Sequence, residues 1–442
     1  MTYSLGSLFD GSGGFPLAGT LCGVEPRWAS EVEPYPIAVT RSRFPRMKHL
    51  DDISKINGAE IEPVDIITFG SPCQDLSVAG KQAGIGEGTR SGLFIEAVRI
   101  IKEMRRATDG KYPTFALWEN VPGAFSSNRG EDFRLVLEEL IKIVEPSASV
   151  PQVPKRGWSY ADSYVGDGWS LAYRVLDAQH WGVPQRRRRI HACLDLRGQR
   201  ARQVLFEREG VRGYFEQSRT PWEGAPSGAQ DRPGAEGKTF VICSIGGQAE
   251  QCKESTVNPT LKAANQGAVY CLQGNGIDRA NTAGCNGRGW RENESYTLNT
   301  IDRPAVVYWN GDEVCGTLTT RNAGGSQRMP DTGGFNCVID TYAVRRLTPT
   351  ECARLQGFPD KWGVLQPKNE LTEEELLFWK DVRNTYAAIN GRRVKDYTEK
   401  QMLTWYNKLH TDSAEYKMWG NGIALPTALY CMQGMADALR NG

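Results

Sequence analysis

Val64–Gln74 reads VDIITFGSPCQ: a mostly apolar, β-branched run, interrupted only by Asp65, that stops at a glycine and is followed by Ser71, Pro72, Cys73 and Gln74. Such a run predicts a fully buried strand, and it places a cysteine on the turn at that strand's carboxyl end. Outward from it, Tyr3–Phe9 reads as a strand entering the glycine-rich turn Gly11–Gly14, and Trp28–Val32 as a second strand. Gly92–Arg105 carries helical spacing, and Thr114–Trp118 is another strand, running into Glu119. Strand–helix–strand repetition predicts a parallel α/β sheet, whose functional residues lie at the carboxyl ends of the strands. An amphipathic helix is expected over Glu131–Val144, and the sheet resumes at Ser170–Leu176 and Arg189–Leu194.

The chain has 442 residues, 40% hydrophobic and 24% charged, with a net charge of +1. This is enough for a large domain and a smaller second one. No window approaches the apolar length of a membrane span and the first residues do not read as a signal peptide, so a cytoplasmic protein is expected. The eleven cysteines contain no C-x-x-C pair, so reduced thiols are expected rather than disulfides or a metal site. From about Gly198 the texture turns to Gly, Asn, Thr and Arg. Three related pieces recur, NPTLKAANQGAV at Asn258, YTLNTIDRPAVV at Tyr296 and GTLTTRNAGG at Gly316, and they predict an irregular β module. Denser sequence returns near Tyr342, with helices expected over Glu370–Asn390, Tyr397–Leu409 and Leu425–Leu439. The second domain therefore reads as inserted into the first.

Four places carry chemistry. Cys73, exposed to a cleft, is a candidate nucleophile, since a thiolate is strongly nucleophilic when its pKa is lowered; taken alone it also reads as a structural cysteine. Glu119, in Trp118–Pro122 (WENVP), is a carboxyl group that a partly apolar pocket can keep protonated. In Gln185–Arg189 (QRRRR), strand alternation puts Arg187 and Arg189 on one side, suited to phosphate or a base carbonyl. Phe9–Gly14 (FDGSGG) is a strand–turn–helix whose glycines admit a ligand to the backbone. Glu31, about twenty residues on, stands where an acidic residue binds ribose in such folds.

In this order the pieces resemble the DNA cytosine-5 methyltransferase family: F-x-G-x-G (Phe9, Gly11, Gly13), the block ending PCQ (Pro72–Gln74), ENV (Glu119–Val121) and Q-x-R-x-R (Gln185–Arg189). RRLTPTECARLQGFPD (Arg345–Asp360) and GNGIALP (Gly420–Pro426) look like the family's last two blocks. The resemblance implies a Rossmann-like S-adenosylmethionine-dependent α/β domain at 1–197 and 342–442, a β-rich target-recognition domain at 198–341, and a helical insertion at about 361–416. It implies that Cys73 attacks C6 of a flipped cytosine, that Glu119 holds the ring, and that Arg189 and Arg187 assist. Phe9, Gly11, Gly13, Gly14, Glu31, Val32, Asp52, Ile53, Pro72, Leu93 and Asn421 would bind the cofactor. Gln74, Ser77, Asn120, Val121 and Gln185 would serve the substrate and the loop.

Double-stranded DNA is the implied partner, and a monomer is expected. The host would be a bacterium or a phage-infected bacterium, with a cognate restriction endonuclease as a further partner. A tRNA substrate and a non-enzymatic DNA-binding relative are the alternatives. Three features depart from the family pattern: Asp10 where a small residue is usual, Val32 where an aromatic is common, and the insertion itself.

Overall fold

The computed structural model describes residues 2–71, 92–150, 152–206, 270–272, 290–292, 305–308 and 343–441. Its centre is an eight-stranded sheet of order β3-β2-β1-β4-β5-β8-β7-β6. The strands are β1 (Tyr3–Leu8), β2 (Val24–Ser30), β3 (Lys48–Leu50), β4 (Ile66–Phe69), β5 (Phe115–Asn120), β6 (Ala161–Gly166), β7 (Trp169–Asp177) and β8 (Arg188–Asp195). β1 to β5 pair in parallel, and β5, β8, β7 and β6 pair antiparallel. All four residues of β4 are buried because helices cover both faces, which is why its sequence does not alternate.

On one face α1 (Gly14–Leu21), α5 (Ala201–Leu205) and a C-terminal helix, α10 (Leu425–Asn441), close over Leu5, Ile66, Leu117 and Cys193. On the other, α3 (Gly92–Ala107) and α4 (Glu131–Ile141) cover Leu8, Ile67, Phe69 and Trp118. α3 buries Phe94, Ala97, Val98, Ile101 and Met104, the stripe its spacing predicts.

Where sequence and structure differ, the causes are local. The second strand begins at Val24 and ends at Ser30 rather than spanning Trp28–Val32. Pro26 sits where the β1–β2 register shifts, between Leu5 and Gly6, and β3 pairs only from Trp28 onward, so no ladder donor is required of the proline. The helix α2 (Pro34–Arg43) was not foreseen; its first residue is a proline, which the first helical turn accepts. The fourth helix stops at Ile141, short of Val144.

After α5, β9 (Tyr270–Leu272), β10 (Trp290–Glu292), β11 (Ala305–Tyr308) and β12 (Ala343–Arg346) form a small sheet of order β10-β9-β11-β12. β12 thus carries this sheet past the boundary expected at residue 341. The repeated pieces at 258 and 316, and residues 296–304 of the one between them, lie outside the described residues. Beyond it come α6 (Pro349–Leu355), α7 (Glu373–Ile389), α8 (Glu399–Tyr406) and α9 (Asp412–Asn421). α6, α7 and α8 each start with a threonine capping box. No helix among the described residues is long and apolar enough to cross a membrane.

Candidate active site

The chain reverses its direction across the sheet between β1 and β4, and the carboxyl ends of β1, β4 and β5 border one crevice, the place where such sheets bind ligands. Glu119 stands at the end of β5. A Cβ on Gly70, at the end of β4, would lie 3.1 Å from Glu119 Oε2, so the glycine leaves room for the carboxyl group. Trp118 Nε1 donates to Ser71 Oγ at 3.2 Å and Asn120 Nδ2 to the Ser71 carbonyl at 3.1 Å, both buried. β5 therefore holds the chain two residues before Cys73. Pro72, Cys73, Gln74 and Ser77 themselves lie outside the described residues. Val121 N–H closes the turn by donating to Asn120 Oδ1.

Arg189 Nε lies 3.0 Å from Glu119 Oε1, the two side chains 12% and 14% exposed. Burial pushes the Glu119 carboxyl up, and the Arg189 and Arg187 cations oppose that rise. Arg187, 1% exposed, donates to the carbonyls of Gly420 and Gly422 and so ties the QRRRR segment to the C-terminal block. Gln185 is fully buried, its amide without a hydrogen-bond partner among the described residues. His191 pairs directly opposite Glu119 across β5 and β8, fully buried, and burial lowers its pKa to about 3. Sequence reasoning passed over it, although its place two residues after Arg189 puts it on the same strand face.

The turn after β1 is built for close approach. Phe9, Gly11 and Gly13 all have positive φ, at 57°, 56° and 77°, and a Cβ on Gly11 would meet only the Phe9 carbonyl at 3.9 Å. Glu31 accepts from the backbone N–H groups of Gly11, Val32 and Glu33 at 2.8–2.9 Å, which joins the second loop to the first. Asp52 caps the short turn Ile53–Lys55 through Ser54 N–H, and Ile53 is buried beside it. Leu93 is half-buried at the start of α3, and Asn421 is exposed at the end of α9. The C-terminal block closes the turn from behind. Trp362 Nε1 donates to the Ser12 carbonyl, and Cβ atoms on Gly14 and Gly422 would strike Ile423 and Ser12.

Asp10, inside this turn, is buried. It accepts a 2.6 Å bond from Ser7 Oγ, and its Oδ2 has no partner among the described residues. Burial, with Glu31 nearby, pushes its pKa up to about 7 from 3.8. The folded state then holds this proton more tightly than the unfolded chain, so Asp10 costs stability as pH rises from about 4 through about 7. Asp10→Asn is expected to leave the melting temperature at pH 4 nearly unchanged and to raise stability at pH 8 by roughly 2–4 kcal/mol. Thermal denaturation of both proteins across pH checks this; parallel curves would refute it.

Residues 3–144 and 163–374 match the family model of the C-5 cytosine-specific DNA methylases. The chain belongs to that family. The chain is 28% identical over 480 residues to the DNA N-6-adenine-methyltransferase of Escherichia phage P1, a match covering 95% of this chain but only 59% of that protein. It is 31% identical to the type II methyltransferase M.NgoBI of Neisseria gonorrhoeae, over 84% of this chain and 86% of that one. To M.HhaI of Haemophilus parahaemolyticus it is 25% identical, over 81% and 84%. The family match ends at residue 374, yet the structure seats the later Gly420–Pro426 block on the Phe9–Gly14 turn.

The methyl donor of the family is S-adenosylmethionine. The turn fits an adenosine-bearing group: an open glycine backbone at Gly11, a half-buried carboxyl group at Glu31 for a ribose diol, and an acid–apolar pair at Asp52 and Ile53 for a purine edge.

Proposed function

We propose that this methylase transfers a methyl group to C5 of a cytosine flipped out of a specific double-stranded DNA sequence, through a covalent adduct of Cys73 with C6. The observation that supports this reading is the bracing of Ser71, two residues before Cys73 in the sequence, by Trp118 and Asn120, the two residues that flank Glu119. The Cys73 thiolate forms the Sγ–C6 bond and the displaced electron pair builds up at C5. Protonated Glu119 donates to the ring N3 and lowers the cost of that charge; Arg189 holds the carboxyl group in place and faces the ring carbonyl. Phe9, the Gly11–Gly14 backbone, Glu31, Val32, Asp52 and Ile53 hold S-adenosylmethionine, which when bound supplies the methyl group. Loss of the C5 proton returns the electron pair, and the Sγ–C6 bond breaks to free the thiolate. Because the base must leave the stack, the small sheet and the segments around it would grip the duplex. Of the arginines suited to that task, Arg291 lies in β10, and Arg279, Arg288, Arg303, Arg321 and Arg328 lie outside the described residues.

The type II names of two relatives favour a modification enzyme with a cognate endonuclease. The phage P1 relative's name favours a second product, N6-methyladenine, although part of that protein lies outside the match. Both are separated by incubating unmethylated DNA with labelled S-adenosylmethionine, digesting it to nucleosides and identifying the labelled base. 5-Methylcytosine at discrete sequence motifs is expected. N6-methyladenine alone, or label found only in a tRNA competitor, would overturn the reading.

A further inference from the structure

The arm formed by α7, α8 and α9 interrupts the family pattern between the last two blocks, and its contacts converge on the cofactor side of the molecule. Trp379, Val382, Met402 and Tyr406 pack with Leu371 against Ile37 and Ala38 of α2, the helix that starts directly after the Glu31 loop. From that seat the arm reaches both loops of the cofactor site. Thr385 Oγ1 lies 3.1 Å from Lys55 Nζ and donates to Asp51 Oδ2 at 3.3 Å, while Lys55 Nζ bridges to the same carboxylate oxygen at 2.6 Å. These bonds bracket Asp52 and Ile53. Phe378 meets His49 edge to face at 5.6 Å, and His49 pairs in β3 with Ala29 of β2, two residues before Glu31. Lys417 Nζ contacts Glu33 Oε1 at 2.5 Å, two residues beyond the ribose carboxylate.

We propose that this arm sets the affinity for the adenosine end of the cofactor, with Thr385 and Lys417 as positioning residues that hold the Asp51–Lys55 and Glu31–Glu33 loops in their binding shape. The inference rests on the S-adenosylmethionine reading. Loops fixed before binding lose less entropy on binding. Releasing them therefore weakens cofactor binding without touching the reacting atoms.

The test is isothermal titration of the full-length protein with S-adenosylmethionine and with S-adenosylhomocysteine, alongside steady-state kinetics. Thr385→Val and the Thr385→Val/Lys417→Met pair are expected to raise both Kd values about tenfold. The KM for the cofactor should rise in step, with kcat at saturation within about twofold of wild type. Thr385→Ser, which keeps the hydroxyl, should bind like wild type. The single Thr385→Val variant carries the test should the pair fail to fold. Wild-type Kd values in a folded Thr385→Val protein would overturn the role of the arm alone. No binding of either ligand to the wild-type protein would overturn the cofactor reading and this inference with it.

Discussion

Cys73→Ala is expected to lose methyl transfer by a factor on the order of 10⁴–10⁶, the usual cost of removing a covalent nucleophile, while still binding cofactor and duplex DNA. The argument starts from the ends of β4 and β5. Gly70 is cleared of side-chain atoms so that the Glu119 carboxyl fits beside it, and Ser71 is held through both its hydroxyl and its carbonyl. The Ser71 hydroxyl also satisfies the indole N–H of the core residue Trp118, whereas the Asn120 bond to the Ser71 carbonyl and the room kept at Gly70 add nothing to the apolar core. These two features point to positioning at the strand ends rather than to packing. A substrate carrying fluorine at C5 of the target cytosine gives an independent readout, since the last proton cannot be lost and the adduct persists. Wild-type protein should form a complex with such DNA that survives denaturing electrophoresis, and Cys73→Ala should form none. Methylation retained by the variant, or a denaturation-resistant complex without Cys73, would end the covalent reading.

The parts of this molecule legible in its sequence are those fixed by local rules. β4 declares itself because both of its faces are buried, and α3 because one face is. The ordered blocks at Phe9, Glu119 and Gln185 mark strand ends that the structure gathers on one crevice. Less visible were features whose cause lies elsewhere in the chain. β6 was missed since it lies at the edge of the sheet, with half-exposed residues that show no apolar alternation. α2 was hidden by Pro34 and Pro36, which break a pattern read from sequence but suit a first helical turn. The pairing of Arg189 with Glu119 depends on β8 lying antiparallel to β5, a fact no local motif contains. Arg187 read, with Arg189, as a donor to phosphate or a base carbonyl, and the structure buries it against the carbonyls of Gly420 and Gly422. α7 and α8 read as charged helices without a task and α9 was not foreseen, because the arm's partners His49, Asp51 and Glu33 are distant in sequence.

Glu119→Gln should lower kcat by about 10²–10³, within the range for losing a positioned acid, with a small change in the KM for DNA. Glutamine keeps the shape of the side chain and an acceptor for the Arg189 Nε–H, so the pair at 3.0 Å is preserved in outline. What it loses is a proton that can move toward the ring as charge builds. Burial favours the neutral acid, and Arg189 and Arg187 pull the other way. The catalytic form is the protonated one, so kcat should fall as pH rises through the Glu119 pKa. The sign of the Arg189 effect follows. A neutral residue there withdraws the charge that stabilises the carboxylate, the acid persists to higher pH, and the alkaline limb of the kcat profile moves upward. Arg189→Met should therefore be slower at every pH, since the ring loses a contact, yet its limb should lie to the alkaline side of wild type. Glu119→Gln should show no such limb at all. An Arg189→Met profile with its limb unmoved or shifted to acid, or a Glu119→Gln enzyme that keeps both its rate and its limb, would show that the proton on Glu119 is not the one catalysis uses. The Glu119–Arg189 pair would then be left with the orientation of the ring as its whole task.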